Sequence, residues 1–292
     1  VARVERVLRD FLAPAKINVC LLLGPSRAED GRHELVTVVQ SVALSDRVVL
    51  EAAEGEADTV HCPGIDAQDN LATLAIALFR RRFGWDGPPV SISIDKRVPV
   101  AGGMAGGSAD AGAVLRLLHR HSGLGTLDEL EEAGIEIGAD VPSQIRPGRV
   151  LATGAGEQLQ RVPGVSGYGV VVVPARGGLS TAAVYQEADR LGLARSPASL
   201  RDGLAEVQAG LPDLPDHLCI NELQPAALSL RPDLEATLST LENEGADVAM
   251  VSGSGPTTVG LFRDTERARL VADAIDGALF AKPVGHDAGE VT

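Results

Sequence analysis

The sequence predicts an α+β protein with two domains, and three observations support this prediction. The chain has 292 residues, enough for two domains that share a cleft. Segments with alternating apolar residues, typical of strands, are interspersed with segments whose apolar residues recur every three or four positions, typical of helices. An irregular glycine-rich stretch over 148–156 and a crossover over 162–169 separate two halves. We therefore predict a first domain over 1–162, a second over 163–280 and a disordered tail over 281–292.

The first half alternates strands and helices. Ile17, Val19, Leu21 and Leu23 share one strand face, and the helix that starts at Asp69 or Asn70 has one apolar face. That face contains Leu71, Leu74, Ala75, Leu78 and Phe79. The predicted elements are a strand over 16–23, extended structure over 36–50, helices over 70–83, 109–122 and 127–133, and a strand over 90–95.

The second half has the predicted order β-α-α-β-β-α, which suits a sandwich with helices on one sheet face. Its first strand is a continuous apolar run, too short for a helix. A segment with four prolines over 193–218 is predicted to be a loop-and-helix excursion. The other predicted elements are strands over 170–173, 248–251 and 259–262, and helices over 181–190, from 221, from 232 to 245 and over 264–279.

Composition and charge exclude several classes of function. The formal net charge of −14 argues against wrapping nucleic acid or lying on an anionic membrane, but not against a small anionic ligand. No apolar run approaches the ~18 residues that a membrane span requires, and the first residues lack the apolar core of a signal peptide. Cys20, Cys62 and Cys219 are an odd, scattered set, which suits reduced thiols in the cytoplasm. We predict no nucleic-acid or membrane partner.

Residues 99–110, here called the first glycine loop, join a predicted strand to a predicted helix. Ser108 stands where an N-cap belongs, and Gly123 stands where the helix is expected to end. Glycines let the backbone approach an anion, and the first turn of a helix offers unpaired N–H groups and the positive end of the dipole. The loop therefore predicts a phosphate cradle. It matches neither G-x-x-x-x-G-K-[ST] nor G-x-G-x-x-G.

Four polar residues outside this loop stay ambiguous on spacing alone. Lys16 and Asn18 share a strand face, whose commonest explanation is contact with solvent. His33 at a loop end is typical of a surface residue. Asp140 precedes Val141-Pro142, and because the proline favours an extended Val141, Asp140 is expected at a turn or helix entrance, where aspartate commonly makes local hydrogen bonds.

Three stretches together resemble the motifs of the GHMP kinases, the superfamily of galactose, homoserine, mevalonate and phosphomevalonate kinases. They are Pro-Ala-Lys-Ile-Asn at 14–18, the first glycine loop, and Val-Ser-Gly-Ser-Gly-Pro at 251–256. The resemblance covers the chain to about residue 279. It implies an N-terminal ribosomal-protein-S5-domain-2-like domain and a C-terminal ferredoxin-like α/β sandwich, with ATP and substrate in the cleft between them.

Within the superfamily, Asp-Gly-x-His-Glu-Leu at 30–35 and Gly-Ala-Asp-Val-Pro at 138–142 look like the branch that phosphorylates the 2-hydroxyl of 4-diphosphocytidyl-2-C-methyl-D-erythritol. That branch belongs to the methylerythritol phosphate route of isoprenoid biosynthesis. The resemblance implies that Asp140 accepts the proton of the substrate hydroxyl, while Lys16 keeps that carboxylate ionised. It also implies ATP and Mg²⁺ as cofactors, with Ser108 near the phosphates or their metal and no assigned protein ligand to the metal.

The resemblance extends to binding residues. His33 is expected to contact the cytosine edge, Asn70 and Lys96 the adenine, and the first glycine loop the ATP phosphates. The implied nucleotide-binding residues are Asn70, Lys96, Pro99, Val100, Ala101, Gly102, Gly103, Met104, Ala105, Gly106, Gly107, Ser108 and Ala109. The implied substrate-binding residues are Asn18, Arg32, His33, Thr181, Gly253 and Ser254. We expect a monomer or a weak homodimer.

Two departures from the family pattern leave alternatives open. Arg32 stands where the family commonly has tyrosine, and a guanidinium can also stack on a base. Ser143 and Gln144 stand where aromatic residues are common, which puts the backbone after Asp140 in question. The alternatives are another GHMP kinase, acting on mevalonate or a sugar, and a catalytically silent protein of this fold that binds nucleotide.

Overall fold

The structure, a computed structural model, describes residues 7–100, 102–165 and 167–285. The strands of the described residues are β1 (Val7–Ser26), β2 (His33–Ala52), β3 (Thr59–His61), β4 (Val90–Asp95), β5 (Arg149–Thr153), β6 (Gln158–Val162), β7 (Gly169–Val173), β8 (Val248–Val251), β9 (Thr258–Phe262) and β10 (Leu279–Ala281). The α-helices are α1 (Leu71–Phe83), α2 (Gly106–Ser122), α3 (Leu127–Gly134), α4 (Val141–Ile145), α5 (Thr181–Leu191), α6 (Pro197–Gly210), α7 (Gln224–Leu230), α8 (Leu234–Asn243) and α9 (Thr265–Ala274).

Two sheets confirm the α+β class. The first has the order β3-β4-β2-β5-β6, with β1 also paired to β2, and β3 is parallel to β4 whereas the other pairs are antiparallel. The second has the antiparallel order β10-β7-β9-β8. We propose the domain boundary at 162/163, where β6 ends before the second sheet begins at Gly169.

Strand β1 contributes to cores in both halves. Phe11 packs with the helices α1 and α2, and Ile17 packs with the second sheet in a core between the halves. Leu22 packs with α6. Leu21 accepts and donates backbone hydrogen bonds with the segment 220–222, so the second half extends the first sheet locally. The apolar run of β1 is therefore explained by burial, which is continuous over 13–24.

Four local predictions are wrong. Residues 149–153 form β5 rather than irregular chain, because they pair with β2 on one side and with β6 on the other. Leu74 is exposed, since α2 packs on the face of α1 that contains Ala72 and Ile76. Val141 is helical, because Pro142 occupies the first turn of α4, where its missing N–H costs nothing. The last helix ends at Ala274, and the chain then forms β10.

The predicted disordered tail starts too early. Ala281 is buried in β10 opposite Val170, and Pro283 forms an isolated bridge with Val42. Residues 281–285 are therefore fixed by pairing with both halves, and 286–292 lie outside the described residues. In the described part of the chain, no helix is both long and apolar enough to cross a bilayer.

Candidate active site

A cleft of about 790 Å³ lies between the halves and brings the predicted site residues together. The residues of the prediction that line it are Lys16, Asn18, Arg32, His33, Asn70, Lys96, Pro99, Val100, Gly102, Gly103, Met104, Ala105, Gly106, Gly107, Ser108, Asp140, Thr181, Gly253 and Ser254. Ala101 lies outside the described residues. Ala109 is wrong as a ligand contact, because it is buried in the core and its N–H donates to Ala105 O within the helix.

Lys16 and Asn18 are buried, so their interpretation as a solvated face is wrong. Register shifts in the pairing of β1 with β2 lie on both sides of these residues, an irregularity that re-aims side chains near functional sites. Lys16 Nζ donates to Asn18 Oδ1 over 2.7 Å, and Asn18 Nδ2 donates to Thr37 Oγ1 over 2.8 Å. Thr37 in turn donates to Cys20 O. This chain of hydrogen bonds fixes the ammonium of Lys16 at the cleft surface.

Asp140 lies at the start of α4, facing Lys16. Its Oδ2 is 4.0 Å from Lys16 Nζ, and 48% of its side chain is exposed. The hydroxyl of Ser143 donates to Asp140 O, and Gln144 Nε2 donates to Ser143 Oγ. The unusual residues after Asp140 therefore form a buried helical turn that holds its backbone. The carboxylate itself remains free to meet a ligand.

The first glycine loop leads into α2, whose N-terminus lies at the cleft and has no side-chain cap. The N-cap of α2 is Ala105, not Ser108, and no side chain caps this end. Ser108 instead lies in the first turn, half-buried beside the cleft. Side chains do cap α1, α3, α5, α6 and α9. An end without a cap leaves its N–H groups and positive dipole for an anion.

The backbone of this loop is strained and tightly packed. Ala105 has φ 53°, the only positive φ of a non-glycine residue among the described residues. Gly103 has φ 73°, and a Cβ there would lie 2.6 Å from Gly255 O and 2.9 Å from Ser252 O. Residue 103 must therefore be glycine. Strain of this kind is retained where the surroundings impose a conformation, commonly at ligand sites.

Residues 252–256, here called the second glycine loop, form the opposite wall. A Cβ on Gly253 would lie 3.0 Å from Asn18 Oδ1, so the loop touches the hydrogen-bonded chain of Lys16. Asn221 Nδ2 donates to Gly253 O and to Val251 O, which anchors the loop to the second half. Ser254 Oγ lies 2.9 Å from Thr181 Oγ1, so these two predicted residues share one hydrogen bond.

Lys96 is held between two buried carboxylates at the far end of the cleft. Its Nζ donates to Asp46 Oδ2 over 2.5 Å and to Asp110 Oδ2 over 2.8 Å. Burial raises the pKa of Asp110 to about 7, with Lys96 opposing and Asp46 adding to the rise. Although burial opposes it, the two carboxylates raise the pKa of Lys96 above its ordinary value. Asn70 lies nearby, where its Oδ1 caps α1 by accepting from Ala72 N.

His33 is buried, so its interpretation as a surface residue is wrong. Its Nδ1 lies 2.8 Å from Gly24 O and therefore carries a proton that it donates. Its Nε2 lies 3.2 Å from Ser26 Oγ and 3.1 Å from Asp189 Oδ1. The ring packs 5.3 Å, centroid to centroid, from Tyr185. Arg32 is exposed at the cleft mouth, where its Nη2 donates to Ala155 O.

Sequence reasoning missed Thr37, Asn221, Tyr185 and Asp189. Tyr185 and Asp189 follow Thr181 by one and two helical turns on α5, so the helical period was the signal that placed them on the Thr181 face. Thr37 and Asn221 act through tertiary hydrogen bonds, which no local spacing reveals.

Comparisons with known proteins agree with this geometry. The model of the GHMP kinases N terminal domain matches residues 70–148, and that of the GHMP kinases C terminal domain matches residues 197–282. A protein of Nocardia farcinica, named 4-diphosphocytidyl-2-C-methyl-D-erythritol kinase, is 41% identical over 96% of this chain and 93% of its own length. The chain belongs to the GHMP kinases. It is therefore an enzyme, a kinase that takes ATP as the phosphoryl donor, and its two-domain fold is that of the family.

Two further relatives of this GHMP kinase are named for the same activity. A Corynebacterium efficiens protein of that name is 43% identical over 89% of this chain and 87% of its own length. A crystal structure of 4-(cytidine 5'-diphospho)-2C-methyl-D-erythritol kinase superposes with a TM-score of 0.79 at 28% identity, covering 94% of this chain and 99% of that chain.

Proposed function

We propose that this GHMP kinase transfers the γ-phosphoryl group of ATP to the 2-hydroxyl of 4-diphosphocytidyl-2-C-methyl-D-erythritol, in the methylerythritol phosphate route to isoprenoids. The observation that carries the proposal is the position of the Lys16–Asp140 pair. It lies in the same cleft as the uncapped N-terminus of α2, so a hydroxyl at Asp140 and phosphates at α2 meet in one cavity. The names of the relatives supply the acceptor.

The reaction follows from the exposed carboxylate of Asp140. The substrate hydroxyl oxygen forms a bond to the γ-phosphorus, the bond between that phosphorus and the β–γ bridging oxygen breaks, and ADP leaves. The hydroxyl proton passes to Asp140, which is only partly covered and has a free oxygen. Lys16, held by Asn18, places a positive charge beside Asp140 and stabilises charge on the transferring group.

The phosphates are proposed to bind at the first turn of α2. The first helical hydrogen bond is donated by Ala109, so the N–H groups of Gly106, Gly107 and Ser108 precede it. Mg²⁺ bound to the phosphates supplies neutralisation of their charge. The Ser108 hydroxyl, in the first turn of α2, would lie near the phosphates or their Mg²⁺.

The adenine is proposed to lie against Asn70 and Lys96. The Lys96 ammonium has three N–H donors and uses two on carboxylates, which leaves one for an acceptor on the base. All of these groups come from one chain, which is consistent with an enzyme active as a monomer or a weak homodimer. Cys20, Cys62 and Cys219 are free thiols, which suits the cytoplasm.

The cytosine is proposed to lie between Tyr185 and Arg32, with its amino edge toward His33 and Asp189. Asp189 is 56% exposed at the cleft wall, and its carboxylate can only accept hydrogen bonds. Cytosine presents an amino donor where uracil presents a carbonyl oxygen. Asp189 is therefore expected to favour cytosine over uracil, and its carboxylate lies 3.1 Å from His33 Nε2.

The first test measures ADP release with Mg·ATP and four acceptors: 4-diphosphocytidyl-2-C-methylerythritol, mevalonate, homoserine and galactose. Turnover with the cytidyl compound alone is the expected result, and Asp140→Asn serves as the blank. Turnover with another acceptor would contradict the substrate assignment. ATP binding without any turnover would favour a silent nucleotide-binding protein.

Asp189→Asn tests how the base is recognised. An amide can donate to the uracil carbonyl, so the ratio of kcat/KM for the cytidyl over the uridyl substrate is expected to fall about tenfold or more. Glu187→Gln on the same helix is the control, because Glu187 pairs with Arg190 and is not in the cleft wall. An unchanged ratio in Asp189→Asn would refute the role of Asp189.

A further inference from the structure

A second cavity, of about 350 Å³, lies behind the active-site sheet, between the two halves of the chain. Adjacent residues of a strand point to opposite faces. Asn18 lines the active-site cleft, whereas Val19 lines the second cavity. On β2, Thr37 and Val39 line the cleft, and Gln40 contacts a residue of the second cavity. The two cavities are therefore separated by the thickness of one sheet.

The feature that distinguishes this cavity is Arg149, a buried cation without a counter-charge. Its relative exposure is 2%, and it lines the cavity from β5. Its Nη1 reaches Gln40 Oε1 at 3.3 Å, while its Nε is buried without a hydrogen-bond partner. Within the described residues it forms no ion pair. A buried charge left unpaired is costly, so this guanidinium is a built donor for an anion.

Two other polar groups line the same cavity as Arg149. The hydroxyl of Tyr168 is buried beside Arg149. Burial raises the pKa of Tyr168, while the charge of Arg149 and a hydrogen bond from it oppose the rise, so the phenol stays neutral and keeps its own O–H to donate. Cys219 adds a buried thiol whose pKa burial raises to about 11. Arg149 and Tyr168 therefore line one cavity together, and among the described residues the hydrogen-bond partners of the guanidinium, Gln40 and Tyr168, carry no charge.

The acidic residues of the cavity do not neutralise Arg149. Asp216 accepts from Arg263 Nη2 at 2.6 Å, and Asp247 accepts from Arg263 Nη1 at 2.8 Å, so both carboxylates are committed to a different guanidinium. Asp213 is exposed at the rim. The rest of the wall is apolar, with Val19, Leu214, Val248, Leu261 and Phe262 among its residues.

We propose that this cavity binds a small organic anion, with one acid group on Arg149 and Tyr168 and a short apolar body against the aliphatic wall. A carboxylate and a phosphate monoester share the chemistry that the guanidinium recognises. One buried cation matches one negative charge, and the volume suits a body of a few carbon atoms. The site is separate from the catalytic cleft and does not depend on which acceptor the kinase uses.

The test is a titration of the full chain in a buffer without phosphate, followed by calorimetry and thermal unfolding. The probes are 3-methylbutanoate, 3-methylbutyl phosphate, inorganic phosphate and the uncharged 3-methylbutan-1-ol. At least one of the two organic acids is expected to bind in a 1:1 ratio and to raise Tm, and the pair of probes tells which acid group is preferred. The alcohol is expected to bind about 30-fold more weakly or not at all.

Arg149→Met tests directly whether the guanidinium of Arg149 binds the acid group. Because the native cation has no counter-charge among the described residues, the variant without probe is expected to unfold at the same Tm or higher, while its affinity for the acids falls about 30-fold or more. Asp140→Asn, in the other cavity, is expected to bind the acids as the native chain does. Tyr168→Phe, which removes only the hydroxyl, is expected to weaken binding about fivefold and serves if Arg149→Met does not fold.

Three outcomes would overturn the proposal. One is no binding of either organic acid, which would leave Arg149 solvated by water alone. Another is binding that persists in Arg149→Met, or in Tyr168→Phe if only that variant folds, which would place the probe in the catalytic cleft. The third is equal affinity for the acids and the alcohol, which would make the cavity an unspecific apolar one.

Discussion

The cleft contains two lysine–aspartate sites that share chemistry and differ in constraint. At one end, Lys16 lies 4.0 Å from Asp140, and 48% of the Asp140 side chain is exposed. At the other end, Lys96 contacts Asp46 and Asp110 at 2.5 and 2.8 Å, and the exposed fractions of these carboxylates are 0% and 2%. The first pair is open to a ligand on the carboxylate side, whereas the second is closed by its own hydrogen bonds.

This difference separates a reactive pair from a structural one. Asp46 also accepts from the backbone N–H groups of Arg97 and Val98, so it fastens the start of the first glycine loop to β2. Among the described residues the Asp140 carboxylate accepts no hydrogen bond, and its position comes from the turn of α4. Lysine–aspartate contacts therefore have different roles in this cleft. The buried contacts of Lys96 stabilise the fold, whereas the partly exposed Asp140 is available for chemistry.

The largest expected effect is on catalysis, in Asp140→Asn. Loss of the proton acceptor is expected to lower kcat about 10²–10⁴-fold. The free energy of unfolding is expected to change by less than about 1 kcal/mol, because the contact with Lys16 is 4.0 Å long and 48% of the Asp140 side chain is exposed. ADP release and urea unfolding measure the two effects. Asp95→Asn, on an exposed pair with Arg97, is the control. Full activity in Asp140→Asn would remove Asp140 from the mechanism.

Lys96→Met is expected to give the largest loss of stability. The substitution leaves two carboxylates facing each other in the interior, so the free energy of unfolding is expected to fall by about 3–5 kcal/mol. Arg97→Met, next in sequence but exposed, is expected to cost less than about 1 kcal/mol. Equal losses in the two variants, measured by urea unfolding at pH 7, would contradict the distinction between the lysine sites.

Asp110→Asn tests the buried lysine–aspartate site through the pH dependence of the free energy of unfolding. Burial raises the pKa of Asp110 to about 7, so between about pH 4 and pH 7 the folded chain binds more protons than the unfolded chain. The stabilisation is complete below the ordinary pKa of the carboxyl group and is lost as the pH rises toward 7. Asp110→Asn is expected to lose this part of the pH dependence, measured by urea unfolding from pH 4.5 to 7.5. If the free energy of unfolding of the variant and of the native chain depends on pH with the same slope, Asp110 does not contribute to this pH dependence.

The smallest effect is expected for Arg32→Ala at the cleft mouth. Loss of a guanidinium that stacks on the base is expected to raise the KM for the cytidyl substrate about fivefold and to leave the KM for ATP unchanged. Steady-state kinetics with each substrate varied in turn separates these effects. If neither constant changes, Arg32 serves only to hold the loop through its bond to Ala155 O.

Periodicity predicted the α+β class, and the motifs shared with the GHMP kinases predicted both glycine loops and many of the residues that line the cleft. These signals failed where contacts between distant parts of the chain determine burial or secondary structure. Asn18 and Lys16 look like a solvated face until the second half covers them, and Leu279–Ala281 reads as the end of a helix until it pairs with β7. The sequence also did not predict that α2 lacks a side-chain cap. Ser108 matches the pattern of an N-cap, but the N-cap is Ala105, whose backbone is left-handed.

Gly103 lies against the carbonyl oxygens of Ser252 and Gly255, which belong to the other half of the chain. In a redesign of the nucleotide site, this contact means that a substitution in one glycine loop requires a compensating change in the other. Saturation of position 103 alone is expected to return glycine among the folded clones, since any side chain pushes on backbone atoms that have no room to retreat. A library that varies both loops together is the one that samples new donor specificities.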